Sequence, residues 1–398
     1  MRLGTCVAFE LVVGGALATG LTVSAAWGFG EMRRQLGAAE AVALADDEAA
    51  ADAAALVPDR VAAVAAAPAP SAAPGRSALT SARSGASSID AVPVEAAPAE
   101  VAPPFDPAAD EALLAPLRTA PLTRVKINRG GTSISLRLDF AGGGRASFKP
   151  EQTNPQSMPR REIAAYRIDR LLGIHAVAPA FGRSFRLDEL YAALDRESRA
   201  FLPRLNAEVI SHRDPADAAR HVVRGEVQWW ISEIENARIG KHRIDDTLGI
   251  VTWKRLLRAG ATIAPEDYTL MRQLSTMLLF DFVIDNTDRW SGSNARVSPD
   301  GSKLYFMDNT LAFGRDADAH RKTRTYLERS QTFSRRLVQR LRGLTEAELI
   351  GALDDAAPFE RLLGDDEIQA LLGRRDVALG YIDGLIAEHG ESAVLVFP

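Results

Sequence analysis

Hydrophobic and polar positions divide the 398-residue chain into three stretches. The first thirty residues are apolar, and positions 11–28, LVVGGALATGLTVSAAWG, carry no charge. That length sits at the lower limit for a membrane-spanning helix, about 18 to 20 residues. Two fates are open: a single-pass membrane anchor, or a signal segment cut after the small residues around Val23-Ser24-Ala25, which leaves a secreted chain. Arg33 and Arg34 hold the following side in the cytoplasm, whereas Arg2 and the free amine pull the other way. Positions 31–121 are Ala/Pro-rich, with runs such as APAPSAAPG and EAAPAEVAPP. Repeated proline and few large apolar residues predict no packed core there, only a disordered tether.

From 122 onward the pattern becomes globular. Positions 132–140, TSISLRLDF, alternate, with Ile134, Leu136, Leu138 and Phe140 on one face, which predicts a strand. Three glycines, Gly142 to Gly144, turn the chain into a second strand at 145–149, RASFK. The stretch 161–172, REIAAYRIDRLL, has helical periodicity and closes at Gly173. Positions 227–231, VQWWI, read as a buried strand; its adjacent tryptophans point to opposite faces, so one meets a second surface. A long apolar helix is expected over 270–284 and a short strand over 304–307. From 333 to the end the pattern is helical, with 394–398, VLVFP, folding back onto the core.

Composition narrows the function. With 46% hydrophobic and 25% charged residues the average is that of a globular chain. A net charge of -5 excludes a generally basic nucleic-acid binder, so no nucleic-acid partner is expected. The single cysteine, Cys6, excludes a disulfide framework and a cysteine-based zinc site.

Phosphoryl transfer from ATP requires a cation on the phosphates, a carboxylate for a divalent metal, a second carboxylate for the acceptor hydroxyl, and backbone N–H groups over the phosphates. The chain offers each in order. Gly130-Gly131-Thr132-Ser133 forms a turn able to cover a phosphate, and Lys149 lies on the strand after it. Glu162 lies on the next helix, able to orient that lysine. Asp288 follows the long apolar helix, and Asp308 follows a strand and precedes Phe313-Gly314. A basic stretch from Arg315 to Arg324 suits an acidic substrate or a solvated helix face.

These residues carry a resemblance. From Gly130 to Gly314 the chain resembles the secretory-pathway kinase family that includes the Golgi casein kinase and the Four-jointed kinase. The matching blocks are Gly130-Gly131-Thr132, Phe148-Lys149-Pro150, Arg161-Glu162-Ile163-Ala164-Ala165-Tyr166 with Asp169-Arg170-Leu171-Leu172-Gly173, then Asp285-Asn286-Thr287-Asp288-Arg289 and Asp308-Asn309 with Phe313-Gly314. The Asn-x-Asp-Arg block is shared more widely, with HipA-type and phosphatidylinositol kinases. The resemblance implies an α+β, atypical bilobal kinase-like fold. A small β-rich N-lobe at 122–235 and a larger helical C-lobe at 236–398 would follow the membrane segment and tether.

It also implies roles. Lys149 would bind nucleotide phosphates. Glu162 would pair with Lys149 or hold metal. Asp288 would be the general base or the carboxylate that positions the acceptor hydroxyl, and Asp308 the ligand of Mg²⁺ or Mn²⁺. Ser133 would touch nucleotide, and the segment 229–233, with Trp230 and Ile231, would face adenine. Two positions depart from the family: Trp290 stands where a histidine is usual, and Ser293 stands at the polar-ligand position five residues after Asp288, so either a one-residue insertion shifts the ligand to Asn294 or the site is altered. The implied activity is a metal-assisted kinase acting on a hydroxyl of a protein Ser/Thr or a glycan. A nucleotide-binding pseudokinase scaffold and a phosphatidylinositol-type lipid kinase are the competing readings.

Overall fold

The computed structural model describes residues 103–291 and 294–398, all within the compact unit Ala96–Pro398. The anchor or signal reading of 11–28 and the candidate ligand Ser293 lie outside the described residues. Among the described residues no helix is long and apolar enough to cross a membrane.

Structure begins earlier than the composition suggested. The tether was expected to run to 121, but Phe105 is buried and helix α1 (Asp110–Thr119) packs Leu114 and Leu117 into a core. Asp110 receives the hydroxyl of Tyr166 at 3.0 Å and the Arg170 guanidinium at 2.6 Å. Two leucines and one phenylalanine suffice because a finished sheet and helix wait to cover them; composition alone shows no such partner.

An antiparallel sheet follows. Its strands are β1 (Leu122–Ile127), β2 (Leu136–Phe140), β3 (Arg145–Pro150), β4 (Ala180–Arg186), β5 (His212–Arg213) and β6 (His221–Trp229), in the order β1-β2-β3-β6-β4 with β5 on β6. Helix α2 (Pro159–Leu171) crosses between β3 and β4; α3 (Leu187–Ala192) and α4 (Leu202–Glu208) fill the excursion before β5. Ile134, Leu136, Leu138 and Phe140 are all buried, as their alternation requires. The strand expected over 132–140 nevertheless starts only at Leu136. The Gln152 side chain takes the place of a ladder partner at Ile134, accepting from its N–H at 2.7 Å and donating to its carbonyl at 3.0 Å. Residues 128–135 are thereby released as a loop.

The second lobe holds a three-stranded sheet of β7 (Glu235–Asn236), β10 (Ala295–Val297) and β11 (Leu304–Phe306), and a hairpin of β8 (Arg238–Ile239) and β9 (His242–Arg243). Its helices are α5 (Thr247–Leu256), α6 (Pro265–Ile284), α7 (Arg321–Leu327), α8 (Arg335–Gly343), α9 (Glu346–Leu353), α10 (Asp365–His389) and α11 (Glu391–Val394). Every residue of α6 from Met277 to Ile284 is buried, which is the condition for a helix apolar on all sides. Phe397 is 1% exposed and bridges to Ser334, so the last residues do fold back.

Helix α2 is tied to this lobe by charge. Glu367, in the first turn of α10, is 1% exposed and accepts from Arg160 at 2.9 Å and from Arg161 at 2.8 Å. The neighbouring residue in α2 is Glu162, so this clamp sets where that carboxylate stands. Despite burial, the two guanidinium groups and the Gly364 N–H hold the Glu367 carboxyl down at about 2, against an ordinary 4.5. Its stabilisation is therefore complete above pH 4.5 and is lost as pH falls toward 2. Glu367→Gln should cost about 3 kcal/mol at neutral pH, the price of breaking a buried pair. Denaturant unfolding across that pH range should show the wild type losing stability more steeply than the variant.

Candidate functional site

The site is built where β3, α2 and the loops after α6 and β11 meet. Alternation along β3 sends Ala146 and Phe148 into the sheet core and Lys149 to the opposite face. There the Lys149 ammonium donates to Glu162 Oε1 at 2.9 Å and to Asp308 Oδ1 at 2.7 Å. Burial pulls the ammonium's pKa down, but Asp308, Glu162 and Glu226 outweigh it and drive it above the ordinary lysine value. The Asp308 carboxyl is opposed by burial yet held at about 2 by Lys149 and the Thr310 hydroxyl.

Asp308 is presented by a turn. It has φ 55°, in the left-handed region, and its carbonyl accepts from Asn286 Nδ2 at 3.2 Å. Asn309, next along, donates to Glu162 Oε2 at 3.1 Å and accepts from Asn286 and Arg289. Glu162 thus has Lys149 on one oxygen and Asn309 on the other.

The loop carrying Asp288 hangs from the end of α6. Asp285 caps that helix at φ 55°, and its carboxylate accepts from the His320 N–H and the Thr323 hydroxyl. A Cβ on Gly314 would stand 2.4 Å from that carboxylate, which accounts for glycine there. Asn286 Oδ1 accepts from the Asp288 N–H at 3.1 Å. Asn294 Nδ2 donates to Asp288 Oδ2 at 3.1 Å and to its carbonyl at 3.0 Å. Burial, then the nearby charge of Asp308, pushes the half-buried Asp288 carboxyl upward; Ser291, Lys322 and Asn294 offset part of this. Arg289 is fully buried, with its guanidinium on Asp281 and on the carbonyls of Asn294 and Met307. Trp290 stacks on Tyr326 at 4.2 Å and on Trp253 at 5.7 Å, so the residue in place of histidine is a packing element.

The other expected residues stand at the margins. Gly130, Gly131 and Thr132 are exposed and Ser133 is half-buried, in the loop between β1 and β2. Gly131 has φ +86°, and a Cβ on either glycine would meet nothing within 4 Å, so backbone is open to approach. Gln152, which sequence reasoning missed, ties the end of this loop at Ile134 to the Pro150 carbonyl of β3 and the Ser157 hydroxyl. Trp230 continues the β6 ladder, its N–H reaching the Arg145 carbonyl at 3.3 Å, with Arg137 over its ring. Ile231 packs with Met307, the residue before Asp308, against Phe105, Ala178 and Tyr305. Glu226, buried beside Lys149, was also missed, because a glutamate in RGEVQWW carries no pattern signal.

Among the described residues no three His, Cys, Asp or Glu side chains are arranged to hold a metal. Glu162, Asp308 and the Asn294 amide are hard oxygen donors, and two carboxylates completed by phosphate oxygens and water form a usual set for Mg²⁺ or Mn²⁺.

No family model matches the chain. It is 26% identical over 231 residues to a glycosaminoglycan xylosylkinase of Danio rerio, covering 51% of this chain and 56% of that protein. It is 33% identical over 102 residues to the human extracellular serine/threonine protein kinase FAM20C, covering 22% of this chain and 18% of that protein. The chain spans about half the length of the first of these relatives and less of the second. Among solved structures, the Golgi casein kinase with Mn/ADP bound superposes with a TM-score of 0.54 at 18% identity, covering 73% of this chain and 79% of that one. Over part of its sequence, and in fold over most of its length, the chain is similar to these kinases.

Proposed function

We propose that this chain is an ATP-dependent phosphotransferase that moves the γ-phosphoryl group to a hydroxyl of a protein Ser/Thr or a glycan. The observation that carries the reading is the Lys149 ammonium bonded to Glu162 and Asp308, with Asn286 bridging the Asp308 carbonyl and the Asp288 N–H. A lysine, a pair of hard carboxylates and a separately held third carboxylate are the parts that phosphoryl transfer needs. The relatives' names fit: one acts on a glycosaminoglycan, one on serine or threonine, and the structural neighbour holds Mn and ADP.

Bound Mg²⁺ or Mn²⁺, held by Glu162, Asp308 and Asn294, would neutralise charge on the β- and γ-phosphates. Lys149 turns its ammonium to the phosphates. The open backbone of Gly130 to Ser133 covers them, and Trp230 and Ile231 wall the purine. Asp288 accepts the acceptor's proton and orients its oxygen for in-line attack. The Asn294 amide holds one Asp288 oxygen, which leaves the other for the acceptor. Arg289 and Asn286 keep the Asp288 and Asp308 loops in register.

The anchor reading of 11–28 is a separate proposal, and protease protection in intact cells decides which side of a membrane the domain faces. For the chemistry, labelled ATP with Mn²⁺ and candidate acceptors is the assay. Asp288→Asn should lower kcat about 10²- to 10⁴-fold, the usual worth of a general base, with Mn–ADP affinity changed little. Asp308→Ala should lose nucleotide affinity as well as turnover. Nucleotide binding without turnover in the wild type and both variants would instead make the chain a pseudokinase scaffold.

The acid limb of the rate gives an independent check. Asp288 must be ionised to accept a proton, and its environment raises its pKa. Wild-type kcat/KM should therefore rise with pH through a midpoint above the ordinary aspartate value of 3.8. Substituting Ala for Lys322, which lowers that pKa, should move the midpoint further up.

A further inference from the structure

Strand β6 carries a carboxyl that the chemistry above does not use. Glu226 is 1% exposed, and neither of its carboxyl oxygens meets a hydrogen-bond partner. The ladder pairs it with Lys149 of β3 on one side and with Gly182 of β4 on the other. Residues paired in this way present side chains to the same face, with Cβ atoms about 4.5–5.5 Å apart. Gly182 offers no side chain, and the space over it is filled by the Ala357 carbonyl, 2.2 Å from where a Cβ would stand. The cation that Glu226 faces is therefore Lys149. Burial and the charges of Glu162 and Asp308 push its carboxyl well above the usual range, and the Lys149 charge offsets this only in part.

An orphaned buried carboxyl weakens the fold that holds it, and valine or threonine would suit the same strand position better. Its use therefore belongs to a state other than the one in which Lys149 bridges Glu162 and Asp308. The phosphotransfer reading, on which this inference rests, supplies such a state: once those two carboxylates turn to a divalent cation, the ammonium loses both partners and is repelled by the ion. We infer that Glu226 is a positioning residue, which takes up the Lys149 ammonium when Glu162 and Asp308 turn to the cation and keeps the lysine beside the phosphates. Lysine and cation then cease to compete for the same two carboxylates.

The test is a double-mutant cycle read by metal binding rather than turnover. The full chain, Glu226→Gln, Lys149→Met and the double variant are titrated with Mn²⁺ in the presence of ADP, following free Mn²⁺ by its paramagnetic resonance signal. Glu226→Gln should weaken Mn²⁺ binding about tenfold in the wild-type background, within the range of coupling between neighbouring charges. In the Lys149→Met background the same change should alter the dissociation constant less than threefold. Without metal, the melting temperature of Glu226→Gln should equal or exceed the wild type, since the unpartnered carboxyl is gone. An unchanged Mn²⁺ constant in Glu226→Gln overturns the inference. So does an equal loss in both backgrounds, which makes Glu226 a direct ligand. Should the glutamine variant fail to fold, Glu226→Thr carries the same comparison. A wild-type chain that binds no Mn²⁺ with ADP overturns the phosphotransfer reading itself, and this inference with it.

Discussion

One ammonium group, on Lys149, is shared by carboxylates from separate elements, and the geometry of the site depends on it. Glu162 reaches it from α2 and Asp308 from the loop after β11. At these distances, with Lys149 and Glu162 largely shielded from water, charge attraction is several times stronger than in bulk solvent. The desolvation it offsets is also large, so each member is stable only while the others stay. Glu162, 1% exposed, would be a buried uncompensated charge without the lysine. The contact therefore couples the sheet of the first lobe to a loop of the second, and any cation that replaces the lysine must do so without leaving a carboxylate unpaired.

Two buried arginines hold the surrounding loops to the tolerance such a contact needs. Arg289 spans three segments with one planar fork: Asp281 inside α6, the Asn294 carbonyl beside the Asp288 loop, and Asn309 beside Asp308. A lysine has no geometry for this. Arg374 of α10 does similar work at the rear, donating to the carbonyls of Val283, Gly314 and Asp316. Helix α10 thus fixes both the exit of α6 and the loop that follows Phe313. Its clamp on Arg160 and Arg161 fixes the start of α2 as well.

What the sequence disclosed and what it hid divide along physical lines. Local periodicity exposed the faces of β2 and α2, because side-chain burial repeats with the backbone, and an unbroken apolar run exposed α6. The tandem tryptophans were legible only in part: Trp229 packs against both the first-lobe core and the Phe105 cluster, but the buried strand expected over 227–231 ends at Trp229, and Trp229, Trp230 and Ile231 are half-buried. Lys149, Glu162, Asp288 and Asp308 were legible as residue types in an order that phosphoryl transfer needs, and their convergence required the fold. Gln152, Arg374 and Glu226 were not legible, since a buried polar residue is recognisable only by a partner far off in sequence. Helix α1 was missed because its alanines and prolines resemble the tether before it; Tyr166 and Arg170, over fifty residues later, give Asp110 its place.

Backbone strain supports this arrangement. Asp285, Asp308 and Phe313 all have left-handed φ, at 55°, 55° and 61°, and all bound the loops that frame the site. Each such residue costs about 1–3 kcal/mol unless its surroundings over-determine it. Here they do. Asp285 is held by the His320 N–H and the Thr323 hydroxyl, and the fully buried Phe313 by its N–H on the Ile284 carbonyl. Asp308 is held by Lys149 and Thr310 through its side chain and by Asn286 through its carbonyl. Aspartate is among the residues that tolerate this region best, so the turn and the carboxylate are met by one residue type. A left-handed turn at 308 sends the short side chain back toward β3 while the chain itself runs on to Asn309. A residue in the ordinary helical or extended region would leave the carboxylate on another heading. The strain at Asp308 and the charge contact with Lys149 are in this sense one feature: the ion pair stabilises the turn, and the turn delivers the ion pair.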